Sequence, residues 1–279
     1  MGNSWMISVL NFAFDFWNGK LTEIWGLIST SPQDFKNGDI WRVIVGINDG
    51  LQAIAYGLLV LFFAMAIFKS ASNFKDFRRP EYALSLFVRF VATKLAISYG
   101  MTIMVTIFNI VGGIISKIGE TMGSVTASVS LPSEIQNAIS SMGFFASLPL
   151  WLITIIGVLL VVVLSIVMLL TVYGRFFRLY LYTAISPLPL STFAGNVTSH
   201  TGKQFIKSYI GVCMEGAIIV LACIIFNAYI GSGTMGVVSS SADGFTLVFA
   251  YLVEVIFSML VLVGLVKGAD RIVKEMLAL

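Results

Sequence analysis

Charged side chains are scarce in this sequence, and their scarcity excludes an ordinary soluble domain. Of its 279 residues, 11% are charged and 58% are hydrophobic, whereas soluble domains carry about 25% charged residues. Between Glu134 and Arg175 the chain runs forty residues without a charge. A helix needs only about 20 apolar residues to cross a bilayer core. The composition therefore predicts an all-α, polytopic membrane protein.

Groups that carry catalysis or bind metals are also few. His200 is the single histidine, and no cysteine or carboxylate lies in the loop around it. Cys213 and Cys223 lie ten residues apart in one apolar segment, and we expect small buried hydrophobes rather than a disulfide or metal ligands. The segment from Gly195 lacks the spacing of a phosphate-binding loop, because six residues separate its two glycines and glutamine follows the lysine. We therefore expect no enzyme, no catalytic residue, no cofactor and no metal.

Five apolar segments are long enough to cross a bilayer. The predicted spans are 47–68, 87–116, 148–173, 206–230 and 245–266. Asn48 and Asp49 stand at the start of the first span, where we expect a helix N-cap and a charge that favours the positive end of the helix dipole. Residues 46–279 are thus predicted to form one polytopic transmembrane domain.

The first 45 residues are predicted to form an amphipathic extracytoplasmic region. Trp5, Trp17, Trp25 and Trp41 suit a helix in the headgroup zone, where indole rings are enriched. This helix is either a structural anchor or a docking surface for another protein. The outer loop 117–147 is rich in glycine and serine and nearly uncharged, so we expect it to line a space or fold against its neighbours.

The placement of basic residues predicts the orientation. If the 69–80 loop is cytoplasmic, thirteen of the seventeen basic residues lie on the cytoplasmic side, as the positive-inside rule requires. The N-terminus is then outside and the C-terminus cytoplasmic. A full crossing by 179–194, which contains Pro187 and Pro189, would remove this asymmetry. We therefore predict a re-entrant or interfacial hairpin there, with an amphipathic helix on the membrane surface as the alternative.

Several charged residues fall in or next to the predicted spans, where each costs at least about 2.5 kcal/mol at the helix centre. Arg89 and Lys94 can reach the cytoplasmic interface by snorkelling, and we expect Arg175 and Arg178 to anchor the third span there. Glu215 and Glu254 either join helices to one another or face water in a pore or ion path. The candidate structural, pore or subunit-contact residues are Lys94, Arg175, Arg178, Pro187, Pro189, Glu215 and Glu254.

The stretch RFFRLYLYTAISPLPLSTFAG, residues 175–195, resembles the most recognisable segment of the TrbL family, polytopic inner-membrane subunits of type IV secretion and conjugation machines. The layout is similar to the short versions found in conjugative elements of Firmicutes, so functions of the soluble C-terminal domain of longer relatives are not carried over. The resemblance implies a homo-oligomeric channel subunit in the bacterial cytoplasmic membrane that passes single-stranded DNA and relaxase. Its expected partners are further copies of itself, other secretion membrane subunits, ATPases, the lipid bilayer and transient single-stranded DNA.

Two other functional classes are alternatives to a channel subunit. A secondary transporter or ion channel would use Glu215, Glu254 and Lys94 at mid-membrane, with the proline-broken hairpin as its binding element. No internal repeat supports this alternative, since the two halves differ in loop length and charge. An intramembrane enzyme lacks a credible pair of nucleophile and base.

Overall fold

Helices account for nearly all of the chain that the computed structural model describes, which comprises residues 2–71, 80–122, 129–231 and 244–279. Within these ranges there are nine α-helices, two short 3-10 helices (Phe35–Gly38 and Thr192–Ala194) and no strand. The α-helices are α1 (Gly2–Ser29), α2 (Asp39–Ala71), α3 (Pro80–Ser98), α4 (Gly100–Met122), α5 (Ser133–Ser141), α6 (Phe144–Ile185), α7 (Pro187–Ser191), α8 (Ser199–Gly231) and α9 (Gly244–Leu277). The predicted all-α class is confirmed.

Five of the described helical segments are long and apolar enough to cross a membrane, as the sequence predicted. They are Phe35–Lys69, Gly100–Glu120, Ser147–Ile185, Ser199–Ile230 and Gly244–Leu277. Four of the five segments are longer than the predicted spans, and α6 has 42 residues. At 1.5 Å per residue α6 is about 63 Å long, which is roughly twice the thickness of a bilayer core. The protein is a multi-pass membrane protein whose helices extend beyond their most apolar stretches.

The second predicted span, 87–116, is broken in the structure. The helix is interrupted at Tyr99, between α3 and α4, and only the α4 part is apolar enough to cross. A side chain at Gly100 would place its Cβ 3.0 Å from Leu190 Cδ1. The amide of Tyr99 still donates to the Leu95 carbonyl at 2.9 Å. The break is therefore a local irregularity at a glycine that packs closely against α7.

Helix α6, which contains the third predicted span, ends later than the sequence predicted. The predicted span ended at Tyr173, before Arg175, but α6 continues through both arginines to Ile185. The proline-containing part of 179–194 then forms α7 and the 3-10 helix Thr192–Ala194. Pro187, Leu190 and Ser191 are buried in this bend. The re-entrant placement of the bend remains a prediction.

Contacts between residues divide the chain into two compact units. The first comprises residues 1–29, 115–173 and 217–269, and the second comprises 30–114, 174–216 and 270–279. Consequently α4, α6, α8 and α9 each contribute residues to both units. The 69–80 loop lies largely outside the described residues, as do residues 123–128 of the predicted outer loop 117–147.

In the first unit, α1 is a packed element rather than an independent surface helix. One face of α1 is buried, from Met6 through Trp17 to Ile28. The Trp17 ring lies 6.1 Å from the Phe226 ring of α8. Trp17 therefore belongs to the core, and its predicted role in the headgroup zone is wrong.

The end of the 117–147 loop folds against α1. This is one of the two arrangements expected for the loop, which was predicted either to line a space or to fold against its neighbours. Asn18 on α1 donates to the Val129 carbonyl at 2.9 Å and accepts from the Val129 amide at 3.0 Å. Asn3 donates to the carbonyls of Ile139 and Met142, at 2.8 Å each. These bonds hold residues 129–142 on the first unit, and Tyr251 of α9 adds a bond to the Ser130 carbonyl at 2.9 Å.

The second unit is built around the end of α6 and the bend. Both α2 and α3 pack against α7 and the 3-10 helix that follows it. Phe35 stacks on Phe176 with ring centroids 4.7 Å apart, and the Tyr180 hydroxyl donates to the Pro32 carbonyl at 2.9 Å. These contacts position the residues around Arg175 and Arg178.

Candidate functional site

Ionisable side chains from three helices meet in the second unit. We call this group the charge cluster: Arg175 and Arg178 of α6, Glu215 of α8, and Asp270 and Lys274 of α9. The sequence singled out Arg175, Arg178 and Glu215 without predicting that they meet, and it did not single out Asp270 or Lys274. In the cluster, Arg178 forms ion pairs with residues of two other helices.

A chain of alternating charges runs through the cluster. Arg178 Nη2 lies 2.6 Å from Glu215 Oε2, and Arg178 Nη1 lies 3.1 Å from Asp270 Oδ1. Asp270 Oδ2 in turn lies 2.9 Å from Lys274 Nζ. The Glu215 side chain is 3% exposed and that of Arg178 36% exposed. Because α6, α8 and α9 each supply at least one member, these ion pairs connect the three helices.

Arg175 is held by backbone carbonyls rather than by a carboxylate. It is 1% exposed, and its Nε and Nη2 donate to the carbonyls of Val212 and Cys213 on α8, at 3.2 and 3.1 Å. Its guanidinium carbon lies 6.0 Å from the centre of the Phe108 ring. A buried charge is tolerated where hydrogen bonds and aromatic faces replace water. Arg175 therefore joins α6 to the middle of α8.

Gly216 makes the approach of Arg175 to α8 possible. A Cβ at this position would lie 2.6 Å from the guanidinium carbon and from Nη1 of Arg175. Real Cβ atoms do not come this close to another heavy atom, so any side chain here would displace the guanidinium from the carbonyls. The sequence did not single out Gly216, because a glycine within an apolar helix carries no signal of what packs on it.

A small cavity adjoins the exposed side of the cluster. Its volume is about 90 Å³, and Arg178, Asp270 and Lys274 are among the residues that line it. This volume accommodates a few water molecules. The cavity explains how Arg178 and Lys274 keep partial solvation while Glu215 is buried.

Pro187 sets the end of α6, and Asn48 of α2 hydrogen-bonds to the last turn of that helix. Proline has no N–H, and its ring clashes with the carbonyl four residues earlier, which is that of Thr183. Asn48 Nδ2 instead donates to the Thr183 carbonyl at 2.8 Å and to Ser186 Oγ at 3.1 Å. Asn48 is fully buried in the middle of α2, so its predicted role as an N-cap is wrong. Together with the Ser186 hydroxyl, which donates to the same carbonyl at 2.9 Å, Asn48 takes the place of the N–H that Pro187 lacks.

Pro189 lies at the contact between the bend and the start of α8. A Cβ at Gly202 would lie 3.0 Å from the Pro189 carbonyl oxygen and 3.0 Å from two ring atoms of Phe193. The start of α8 therefore packs closely on the bend at a glycine. The two candidate prolines act together, since Pro187 ends α6 and Pro189 lies where α8 begins its return.

The remaining candidates are Lys94 of α3 and Glu254 of α9. Lys94 is exposed, and its carbonyl accepts a bond from Ser98 at 3.0 Å. Glu254 is half-buried in the first unit, and its carbonyl accepts a bond from Ser258 at 2.8 Å. The joint use of Lys94, Glu215 and Glu254 by a transporter stays an untested alternative.

Arg175 and Arg178 lie within α6, which continues to Ile185, so the helix does not end at the arginines. Phe176, which lies between them, stacks on Phe35 of the segment that precedes α2. The placement of the arginines at the cytoplasmic interface stays a prediction.

Comparison with known proteins assigns the chain to a family. A family model described as TrbL/VirB6 plasmid conjugal transfer like protein matches residues 17–187, which is more than half of the chain. The match includes Lys94, Arg175, Arg178 and Pro187. No curated protein and no solved structure is significantly similar to the chain. The chain therefore belongs to the TrbL/VirB6 plasmid conjugal transfer family, and it is a multi-pass membrane component of a conjugal transfer system.

Proposed function

We propose that the protein is a structural channel and scaffold subunit of a conjugative type IV secretion machine. It lies in the bacterial cytoplasmic membrane, N-terminus outside and C-terminus cytoplasmic, and helps to translocate single-stranded DNA and protein. Membership of the conjugal transfer family supports a role in conjugal transfer. The charge cluster is the observation that carries the structural role, because its ionisable groups bind one another across three helices.

The burial of Glu215 supports a scaffold rather than an ion carrier. The Glu215 side chain is 3% exposed and lies 2.6 Å from Arg178. Breaking such a pair would leave a buried charge without compensation. In the proposed scaffold, Glu215 joins α6 to α8.

Exposed apolar side chains along α6 support assembly with lipid and with other subunits. Eight of them lie on the part of the helix that belongs to the first unit: Leu148, Leu152, Ile155, Ile156, Leu159, Val163, Ile166 and Leu170. Apolar faces of this kind need lipid or protein to cover them. In the proposed machine, further copies of the chain and other secretion subunits cover part of this surface, and partner ATPases supply the energy. The chain itself is proposed to have no enzymatic activity.

Cross-linking to the transferred strand tests the channel role. Cells that carry a tagged copy of the protein would be treated with formaldehyde during mating, and the protein would be recovered under denaturing conditions. We expect the transferred strand to be enriched over chromosomal DNA, and the signal to vanish when the relaxase cannot nick its substrate. Recovery of transfer ATPases without any transferred DNA would support a scaffold and contradict a channel.

A further inference from the structure

A second polar site lies in the same unit, away from the charge cluster. It is a cavity of about 500 Å³ between α3, the 3-10 helix Thr192–Ala194 and the start of α8. Cavities of about 300–1,000 Å³ commonly hold small organic ligands. None of the candidate residues chosen from the sequence lines it, and the family match does not extend to its α8 side.

The charged residues that line this cavity all carry the same sign. Arg89 of α3 and Lys203 of α8 both face it, and no acidic residue is among its described lining. Nη1 of Arg89 is buried and has no hydrogen-bond partner among the described residues. A buried donor without an acceptor is costly. The cavity therefore has the chemistry of a site for a ligand with anionic oxygens.

Two serines extend the polar end of the cavity. Ser85 and Ser199 supply hydroxyl groups to the lining. Ser199 is also the first residue of the 33-residue helix α8. The N-terminus of a helix carries a partial positive charge, which favours an anion. This adds to the two cations without introducing a competing carboxylate.

The rest of the cavity is apolar and continues onto an exposed apolar surface. Val88, Ala92 and Phe193 form part of its wall. Next to it on α3, Leu84, Phe87 and Leu95 are more than half exposed. A soluble phosphate would leave this surface in contact with water, whereas a lipid with an anionic headgroup would cover it.

We propose that this cavity binds an anionic phospholipid, with the phosphate at Arg89 and Lys203 and an acyl chain along Val88 and Phe193. The position agrees with the predicted topology, since α3 follows the loop assigned to the cytoplasmic side, where anionic headgroups attract basic residues. The site is independent of the transport function.

Native mass spectrometry of the full-length protein in a neutral detergent tests this site. The protein would be titrated separately with phosphatidylglycerol, phosphatidylcholine, inorganic phosphate and a single-stranded oligonucleotide. We expect saturable binding of one phosphatidylglycerol and weaker binding of the others. The double variant Arg89→Gln/Lys203→Gln is expected to bind it about thirtyfold more weakly, since each basic residue contributes about fivefold at an anionic headgroup.

Two further variants make this experiment decisive. Lys94→Gln/Lys207→Gln removes two exposed charges from the same helices and is expected to bind phosphatidylglycerol like the wild type. Ala92→Trp fills the cavity without changing any charge and is expected to lower binding even if the first double variant does not fold. Equal losses in both charge variants would overturn the proposal, as would no effect of Ala92→Trp. Tighter binding of phosphate or of the oligonucleotide would overturn the assignment to a lipid.

Discussion

At the scale of single residues, the sequence identified the charges but not their partners. Arg175, Arg178 and Glu215 stand out because charged residues are rare in apolar segments. Asp270 did not stand out, because it lies in a charged stretch near the end of α9. Asn48 was misinterpreted and Gly216 was overlooked. Their roles depend on Thr183 and Arg175, respectively, each of which lies on another helix and more than forty residues away in the sequence. Contacts between helices leave no local pattern in a sequence.

Gly216→Ala should destabilise the protein by about 2–4 kcal/mol. The added methyl group occupies the space of the Arg175 guanidinium, and each of the two hydrogen bonds to a charged group contributes about 1.5–3 kcal/mol. In an open helical position the same change would stabilise by up to about 1 kcal/mol. Thermal unfolding in detergent measures the difference. Gly174→Ala is the matched control, because nothing lies within 4 Å of a Cβ there; equal melting temperatures for the two variants would contradict the predicted contact.

The pair Arg178 and Glu215 should show a coupling energy of about 1–2 kcal/mol in a double-mutant cycle. Replacing Arg178 with methionine leaves the buried Glu215 without its partner, replacing Glu215 leaves Arg178 with Asp270 alone, and replacing both removes the unpaired buried carboxylate. The expected value is modest because the Arg178 side chain is 36% exposed. The exposed pair Arg271 and Glu275 serves as the control and should couple by less than about 0.5 kcal/mol. Equal coupling in both pairs would argue against a structural role for the cluster.

At the scale of elements, the number of crossing helices was predictable and their ends were not. Long apolar runs specify a helix that crosses a membrane, and five were found. The end at Tyr173 was wrong because arginine normally marks the interface, whereas α8 offers Arg175 two carbonyls in place of water. The prolines correctly indicated a break, and Pro187 sets its position. Helix ends were thus decided by packing partners that no local pattern reveals.

Asn48→Ala should destabilise the bend by about 1–3 kcal/mol, because the Thr183 carbonyl and the Ser186 hydroxyl both lose a buried amide donor and Ser186 alone still donates to the carbonyl. Unfolding in detergent would be compared with that of Asn109→Ala, an exposed asparagine of α4, which should change stability by less than about 0.5 kcal/mol. Pro187→Ala restores an N–H that can reach the Thr183 carbonyl. The double variant Asn48→Ala/Pro187→Ala should therefore lose less free energy of unfolding than the sum of the losses in the two single variants. Strict additivity would show that Asn48 does not compensate for Pro187.

At the scale of the whole molecule, the sequence established the class and the crossing number, and the family match established the process. The predicted boundary at residue 45, between an extracytoplasmic region and the transmembrane domain, stays a prediction. Each compact unit is assembled from three separate segments, and the first unit ends at Ser29 before it resumes at Ile115. Residues from Thr30 onward pack with α6 and α7. Units of this kind leave no pattern along the sequence, because contacts between distant segments define them.

Accessibility to a membrane-impermeant maleimide tests the proposed orientation. Both native cysteines are buried, so Cys213→Ala and Cys223→Ala provide a background without reactive thiols. On this background Ser4→Cys should be labelled in intact protoplasts, and Met276→Cys only after the membrane is permeabilised. Both positions are exposed. Labelling of Met276→Cys in intact protoplasts would reverse the orientation of the C-terminus and the positive-inside assignment with it.

The most direct measurement is conjugation frequency after a markerless deletion of the gene, with the wild-type gene and variants supplied in trans. We predict that transfer falls to background in the deletion strain and returns with the wild-type copy. Glu215→Gln should restore transfer to the extent that it accumulates in the membrane, because a scaffold needs the helix contact and not a titrating carboxylate. Undiminished transfer without the gene would contradict the central claim. Full accumulation of Glu215→Gln with no transfer would instead favour an ion-carrying role for that carboxylate.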